Sequence, residues 1–124
     1  MPAPREELTE AQRAIIRARL DTVAEELRAL VRDEDGLTDT VVLDQSRMGR
    51  VSRVDALQQQ QMAAAGRRRA AVRLERVEAA IERFDEAPDE YDWCPSCGEP
   101  VGFPRLNAVP ESAFCVPCLQ ARGR

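Results

Sequence analysis

Four cysteines near the carboxyl end constrain this chain more than anything else in it. Cys94-Pro95-Ser96-Cys97-Gly98 and Cys115-Val116-Pro117-Cys118 give the spacing C-x2-C-x17-C-x2-C. Two thiolates separated by two residues grip one ion from a tight turn, and two such turns complete a tetrahedron. Gly98 after the first pair permits the turn its backbone needs. Thiolate ligands select zinc over the oxygen-seeking magnesium and calcium. Four thiolates leave no open coordination position, so one structural, non-catalytic zinc is expected on Cys94, Cys97, Cys115 and Cys118. The competing readings are two redox-active pairs, an iron–sulfur centre or disulfides. A redox pair of the thioredoxin kind would need a strand–helix setting that this pattern lacks.

Other chemistries are excluded by absence. The 124 residues contain no histidine and no lysine, and all 18 basic residues are arginine. No Ser-His-Asp or Cys-His centre, Schiff-base lysine or phosphate-binding P-loop is possible. The protein is expected not to be an enzyme. Arginine is outnumbered by 22 acids, for a formal charge of −4, and four metal-bound thiolates bring the total to roughly −6. Direct sequence-specific DNA binding is therefore not expected.

Composition divides the chain near residue 85. All five aromatic residues, Phe84, Tyr91, Trp93, Phe103 and Phe114, and six of eight prolines fall late. Residues 1–87 are expected to form a helical hairpin and 88–124 a zinc module. In the first part, Thr9 and Gln12 make a capping-box pattern. Ile16, Leu20, Val23, Leu27 and Leu30 follow at spacings of 4 and 3, a heptad seam that should stop between Asp33 and Gly36. A second seam, Ala70, Leu74, Val77, Ile81 and Phe84, belongs to a long helix starting between Ser46 and Val54 and ended by Pro88. One apolar stripe per helix suits one partner, which favours an antiparallel coiled coil over a compact bundle. The fold class is all-α. In the zinc module the aromatic residues are expected to pack a miniature core, residues 99–104 a short hairpin, and 113–122 a final helix closed by Gly123.

The segment at about 34–54 would form the distal tip. Asp33, Glu34, Asp35, Asp39 and Asp44 come first, then Arg47, Arg50 and Arg53 at spacing three. This is either a solvated turn or a reactive end. The Arg67-Arg68-Arg69 triplet is likewise either a solvated face or a match for a partner's acidic surface. No apolar run approaches a membrane span, and the first residues lack a targeting signal, so a cytoplasmic protein without membrane attachment is expected.

The stretch Tyr91-x-x-Cys94-x-x-Cys97-Gly98 … Arg105-Leu106-x-Ala108-x-Pro110-x-x-x-x-Cys115-x-x-Cys118 resembles the DksA/TraR family of bacterial transcription regulators. Leu43-Asp44-Gln45-Ser46-Arg47 … Gly49-Arg50-Val51-Ser52-Arg53-Val54-Asp55-Ala56-Leu57-Gln58 looks like a small-protein branch of that family. The resemblance implies direct binding to RNA polymerase, with the coiled-coil tip in the secondary channel and the zinc end at the rim. Better-known members carry Asp-x-x-Asp-x-Ala at the tip. Here the nearest match is Ser52-x-x-Asp55-x-Leu57, in which Asp55 alone survives. Asp44 and Asp55 are the candidate tip acids, and Arg47, Arg50 and Arg53 the candidate partners for polymerase carboxylates. A monomer is expected. The alternative is a zinc-stapled helical adaptor that binds another protein or itself.

Overall fold

The computed structural model describes residues 5–32 and 50–122, with side chains from Arg53 onward in the second stretch. Four helices make up its regular structure: α1 (Glu10–Arg32), α2 (Arg50–Glu86), α3 (Phe103–Ala108) and α4 (Val116–Arg122). Among the described residues no strand forms, and one isolated antiparallel bridge joins Trp93 to Pro100.

Each helix end has a local cause. Thr9 caps α1: the Gln12 N–H donates to Thr9 Oγ1 at 3.1 Å, and the Thr9 N–H donates to Gln12 Oε1 at 2.9 Å. Two of the orphan donors of a first turn are thereby satisfied. At the far end of α2, the Ala87 N–H reaches the Arg83 carbonyl at 3.1 Å. Pro88 has no N–H to continue the ladder. Between these ends α2 runs for 37 residues through Gly66. The predicted stop of α1 at 33–36, and Gly123 beyond α4, lie outside the described residues.

The chain divides into two compact units, Met1–Ala24 with Arg76–Arg124, and Glu25–Glu75. In the first, the start of α1 lies antiparallel to the end of α2. Ile16, Leu20, Val23 and Ala24 of α1 are buried, as are Val77, Ala80 and Phe84 of α2. On the wet side, Arg17 forks onto Asp85, with Nε to Oδ1 at 2.9 Å and Nη2 to Oδ2 at 3.1 Å. The same guanidinium holds Asp21 at 2.6 Å. Arg17 is held above its ordinary pKa by Asp85 first and Asp21 second, and Asp85 is held below its own by Arg17. In the second unit Leu27, Ala56 and Ala70 are buried.

The seams need correcting at three positions. Leu30 is 57 % exposed, and Leu74 and Ile81 are half-buried, whereas Ala80 is fully buried. Heptad counting places the larger Ile81 in the seam, but it is the small Ala80 that is fully buried.

The zinc module also departs from expectation. Residues 99–104 are not a hairpin. The Trp93–Pro100 bridge closes the first cysteine turn, and α3 begins at Phe103, with Pro104 in its first turn, where a missing N–H costs nothing. The last helix starts at Val116 rather than Ala113. Trp93 is 37 % exposed, and Phe103 and Phe114 are half-buried. The module's interior is Tyr91, Val101, Leu106 and Pro110, joined by Leu8 from ahead of α1.

A candidate metal centre and the clamp behind it

The first knuckle is built by three backbone hydrogen bonds around Cys94. Its N–H donates to the Glu99 carbonyl at 2.8 Å, its carbonyl accepts the Gly98 N–H at 2.9 Å, and two residues earlier Asp92 O accepts the Val101 N–H at 2.7 Å. Gly98 takes φ = +74°, a left-handed conformation that side chains disfavour. The second knuckle leads into α4, where the Leu119 N–H donates to the Cys115 carbonyl at 3.0 Å. Cys118 therefore projects from the first turn of a helix.

These turns bring all four sulfurs within 4.8 Å of one another. The Sγ atoms of Cys97 and Cys115 lie 3.7 Å apart. A zinc tetrathiolate with Zn–S near 2.3 Å requires tetrahedral edges of about 3.8 Å, so the cluster fits the ion. The thiols themselves call for a cation. Burial works against ionising Cys94, but the backbone amides of Cys115, Cys97 and Ser96 outweigh it and hold the thiol down to about 6. Cys118 is pushed up to about 12, chiefly by Cys115 and then by burial. One thiolate forms readily and its neighbours resist a second charge. A central dication removes that conflict. The cluster is a site for one structural zinc. The four sulfurs fill its coordination shell, which leaves no position for a substrate.

Behind the knuckle lies an arrangement that sequence reasoning missed. Asp92 is fully buried. Its Oδ2 accepts the Leu8 N–H at 2.7 Å, across 84 positions of sequence. Its Oδ1 faces Arg13 Nη2 at 3.5 Å, an ion pair without hydrogen-bond geometry. The clamp thus ties three things together: the arm preceding α1, the first turns of α1, and the strand of chain entering the metal site. Leu8 is 2 % exposed, and Arg5 lays its stem 3.5 Å from the position a Cβ would take on Gly102. One signal was available. An apolar residue directly before a capping box commonly packs inward. Nothing in a single sequence marks Asp92, which reads as one more acid among 22.

Tyr91 makes the second link. Its hydroxyl donates to the Pro110 carbonyl. Its ring lies 5.1 Å from that of Phe84, and the Arg83 guanidinium sits 5.5 Å from its centroid. Burial pushes the phenol up to about 12, against the opposing pull of Arg83.

Of the candidate tip residues the structure describes two side chains, Arg53 and Asp55. Asp44 and Arg47 lie outside the described residues, as does the side chain of Arg50. Arg53 and Asp55 are exposed on α2.

An antiparallel pair of helices joined to a closed four-cysteine centre defines a class: helical-hairpin zinc-finger proteins. Residues 90–122 match the model of the prokaryotic dksA/traR C4-type zinc finger. The structure of transcription factor DksA2 from Pseudomonas aeruginosa superposes with a TM-score of 0.70 at 25 % identity, covering 92 % of this chain and 84 % of that one. The RNA polymerase-binding transcription factor DksA of Haemophilus influenzae is 33 % identical over 45 residues, 36 % of this chain. The matched part spans 30 % of that relative's length. The chain therefore carries a zinc finger of the dksA/traR type and shares the fold of DksA2. Among the described residues no helix is long and apolar enough to cross a membrane.

Proposed function

We propose that the protein is a cytoplasmic regulator of transcription that binds RNA polymerase directly, through insertion of its hairpin end into the secondary channel. The observation that carries this reading is the likeness to transcription factor DksA2 over 92 % of the chain. The partner comes from the H. influenzae relative, whose name describes it as polymerase-binding. The closed metal centre fits a binding protein better than an enzyme. In this reading zinc holds the base of the hairpin in one shape, and the segment between α1 and α2 carries the activity. Asp44 and Asp55 meet the cationic surroundings of the polymerase catalytic centre, and Arg47, Arg50 and Arg53 pair with its carboxylates.

Co-elution of the zinc-loaded protein with cognate core polymerase tests the reading. The expected result is a complex that a known secondary-channel binder displaces and that Asp55→Ala weakens. Failure to co-elute at about micromolar concentration, where specific complexes of standard interface size form, overturns it.

A further inference from the structure

The seams account for one side of α2, but the helix has another. In the unit Glu25–Glu75, Val54, Leu57, Met62 and Val72 are all about half exposed or more, Met62 at 72 %. At about 100° per residue, Val54, Leu57, Arg68, Arg69 and Val72 fall within about 60° of one line along the helix, opposite the buried Ala56 and Ala70. Met62 borders that line. Arg68 and Arg69 are exposed and make no ion pair among the described residues. From 53 to 75 there are five arginines against two acids. The face is therefore apolar and cationic together. A phosphate backbone would neutralise its arginines but leave its aliphatic side chains wet, and the region carries no aromatic residue for a base to stack on.

A surface of the opposite character exists on the same protein, in the other unit. From 76 to 90 there are six acids against two arginines. There a cleft of about 380 Å³ is lined by Glu86, Glu90, Trp93 and Pro95, together with Arg83, whose guanidinium is turned to the Tyr91 ring. Glu86 and Glu90 are exposed and unpaired among the described residues, and Trp93 offers an open aromatic face. This surface is apolar and anionic together.

We propose that the free protein self-associates head to tail: the Arg68–Arg69–Val72 face of α2 in one copy docks on the Glu86–Glu90–Trp93 cleft of the next. Charge and apolar content match on the two sides, whereas either surface against its own kind would set like charges together. The two patches differ, so the contact is heterologous, and each copy keeps one patch open for a further neighbour. The contact is carried by exposed charges, so the association is weak and strengthened by low salt.

Sedimentation velocity of the zinc-loaded full-length chain decides the matter, run from about 5 to about 500 µM in about 0.05 M and about 0.5 M salt. The expected result at low salt is a mass that climbs past 13.9 kDa without levelling at the dimer, and that returns to the monomer at high salt. The double variant Arg68→Glu/Arg69→Glu, at exposed helix positions that leave the fold intact by circular dichroism, should stay monomeric. So should Glu86→Arg/Glu90→Arg. Mixing the two variants should restore association at one-to-one stoichiometry, because the acidic patches of one then face the basic patches of the other. A chain that remains monomeric throughout overturns the proposal. So does an association that ignores salt and the Arg68/Arg69 change, which would point to apolar pairing of two identical faces, or variants that fail to rescue each other.

Discussion

Replacing Asp92 by alanine is the sharpest test of what holds the metal-bearing unit together. The side chain is fully buried and serves two partners from different elements. Alanine leaves the buried Leu8 N–H with no acceptor, a loss of about 1–3 kcal/mol. It also removes the carboxylate opposite Arg13. Breaking a fully buried pair costs about 3–5 kcal/mol, but the Arg13 side chain is 18 % exposed and its contact is long at 3.5 Å, so this share falls to about 1 kcal/mol. The sum is about 3 kcal/mol, or about 10–15 °C in Tm for a chain of this size. Asp92→Asn keeps an acceptor for Leu8 and loses only the charge, so about half the effect is expected. Urea unfolding of the zinc-loaded protein, followed by circular dichroism, measures the total. Hydrogen exchange at the Leu8 amide measures the local part, where protection should fall at least tenfold. A double-mutant cycle with Arg13→Ala should return a coupling of about 1 kcal/mol. An Asp92→Ala protein within about 1 kcal/mol of the parent, with the Leu8 amide still protected, would refute the clamp.

Three further outcomes are expected. Tyr91→Phe strands the Pro110 carbonyl and should cost about 1–2 kcal/mol in the same unfolding assay. Because the chain has one tyrosine, its tyrosinate absorbance should appear near pH 12. The folded-state pKa is raised above the ordinary value of about 10, so the stabilising contribution is complete below pH 10 and is lost as pH climbs through 12. Gly66→Ala should stabilise α2 by about 0.5–1 kcal/mol, since the added methyl would meet only Arg69 Nη2 at 3.7 Å; a lower Tm would show that the helix needs its glycine. Stripping zinc with a chelator, or Cys115→Ser, should collapse the dispersed amide signals of residues 90–122 while leaving most helical ellipticity. Signals that persist without metal would mean the apolar interior suffices alone.

Helices and metal ligands were legible because each is written in local spacing. Thr9 with Gln12, the 4-3 repeats and C-x2-C need no knowledge of distant chain: the cap and the four-cysteine cluster stand as read, and the repeats find both helices though not every buried position. Tertiary proximity is not written that way. Leu30 keeps the heptad rhythm yet stays exposed, and Ala80 breaks it yet is buried, because helix separation depends on side chains from both partners. The bridge and α3 at 100–108 replaced an expected hairpin. Proline reads as a turn signal there, but it also suits the first turn of a helix. Asp92 stayed hidden because its role depends on Leu8 and Arg13, which lie some eighty residues upstream.

That distance has a temporal meaning. A ribosome makes the arm and α1 first, and the acceptor for the Leu8 amide 84 residues later. At about 5–20 residues per second that is about 4–17 s of synthesis. During this time the first helix has its cap but no docking site. Its proper mate, the end of α2, emerges just ahead of Asp92, and the cysteines follow. The unit therefore closes only after Asp92 has emerged. A product cut short before Cys94 would present a capped, apolar-striped helix with its anchor missing, which is the form a protease or chaperone would meet.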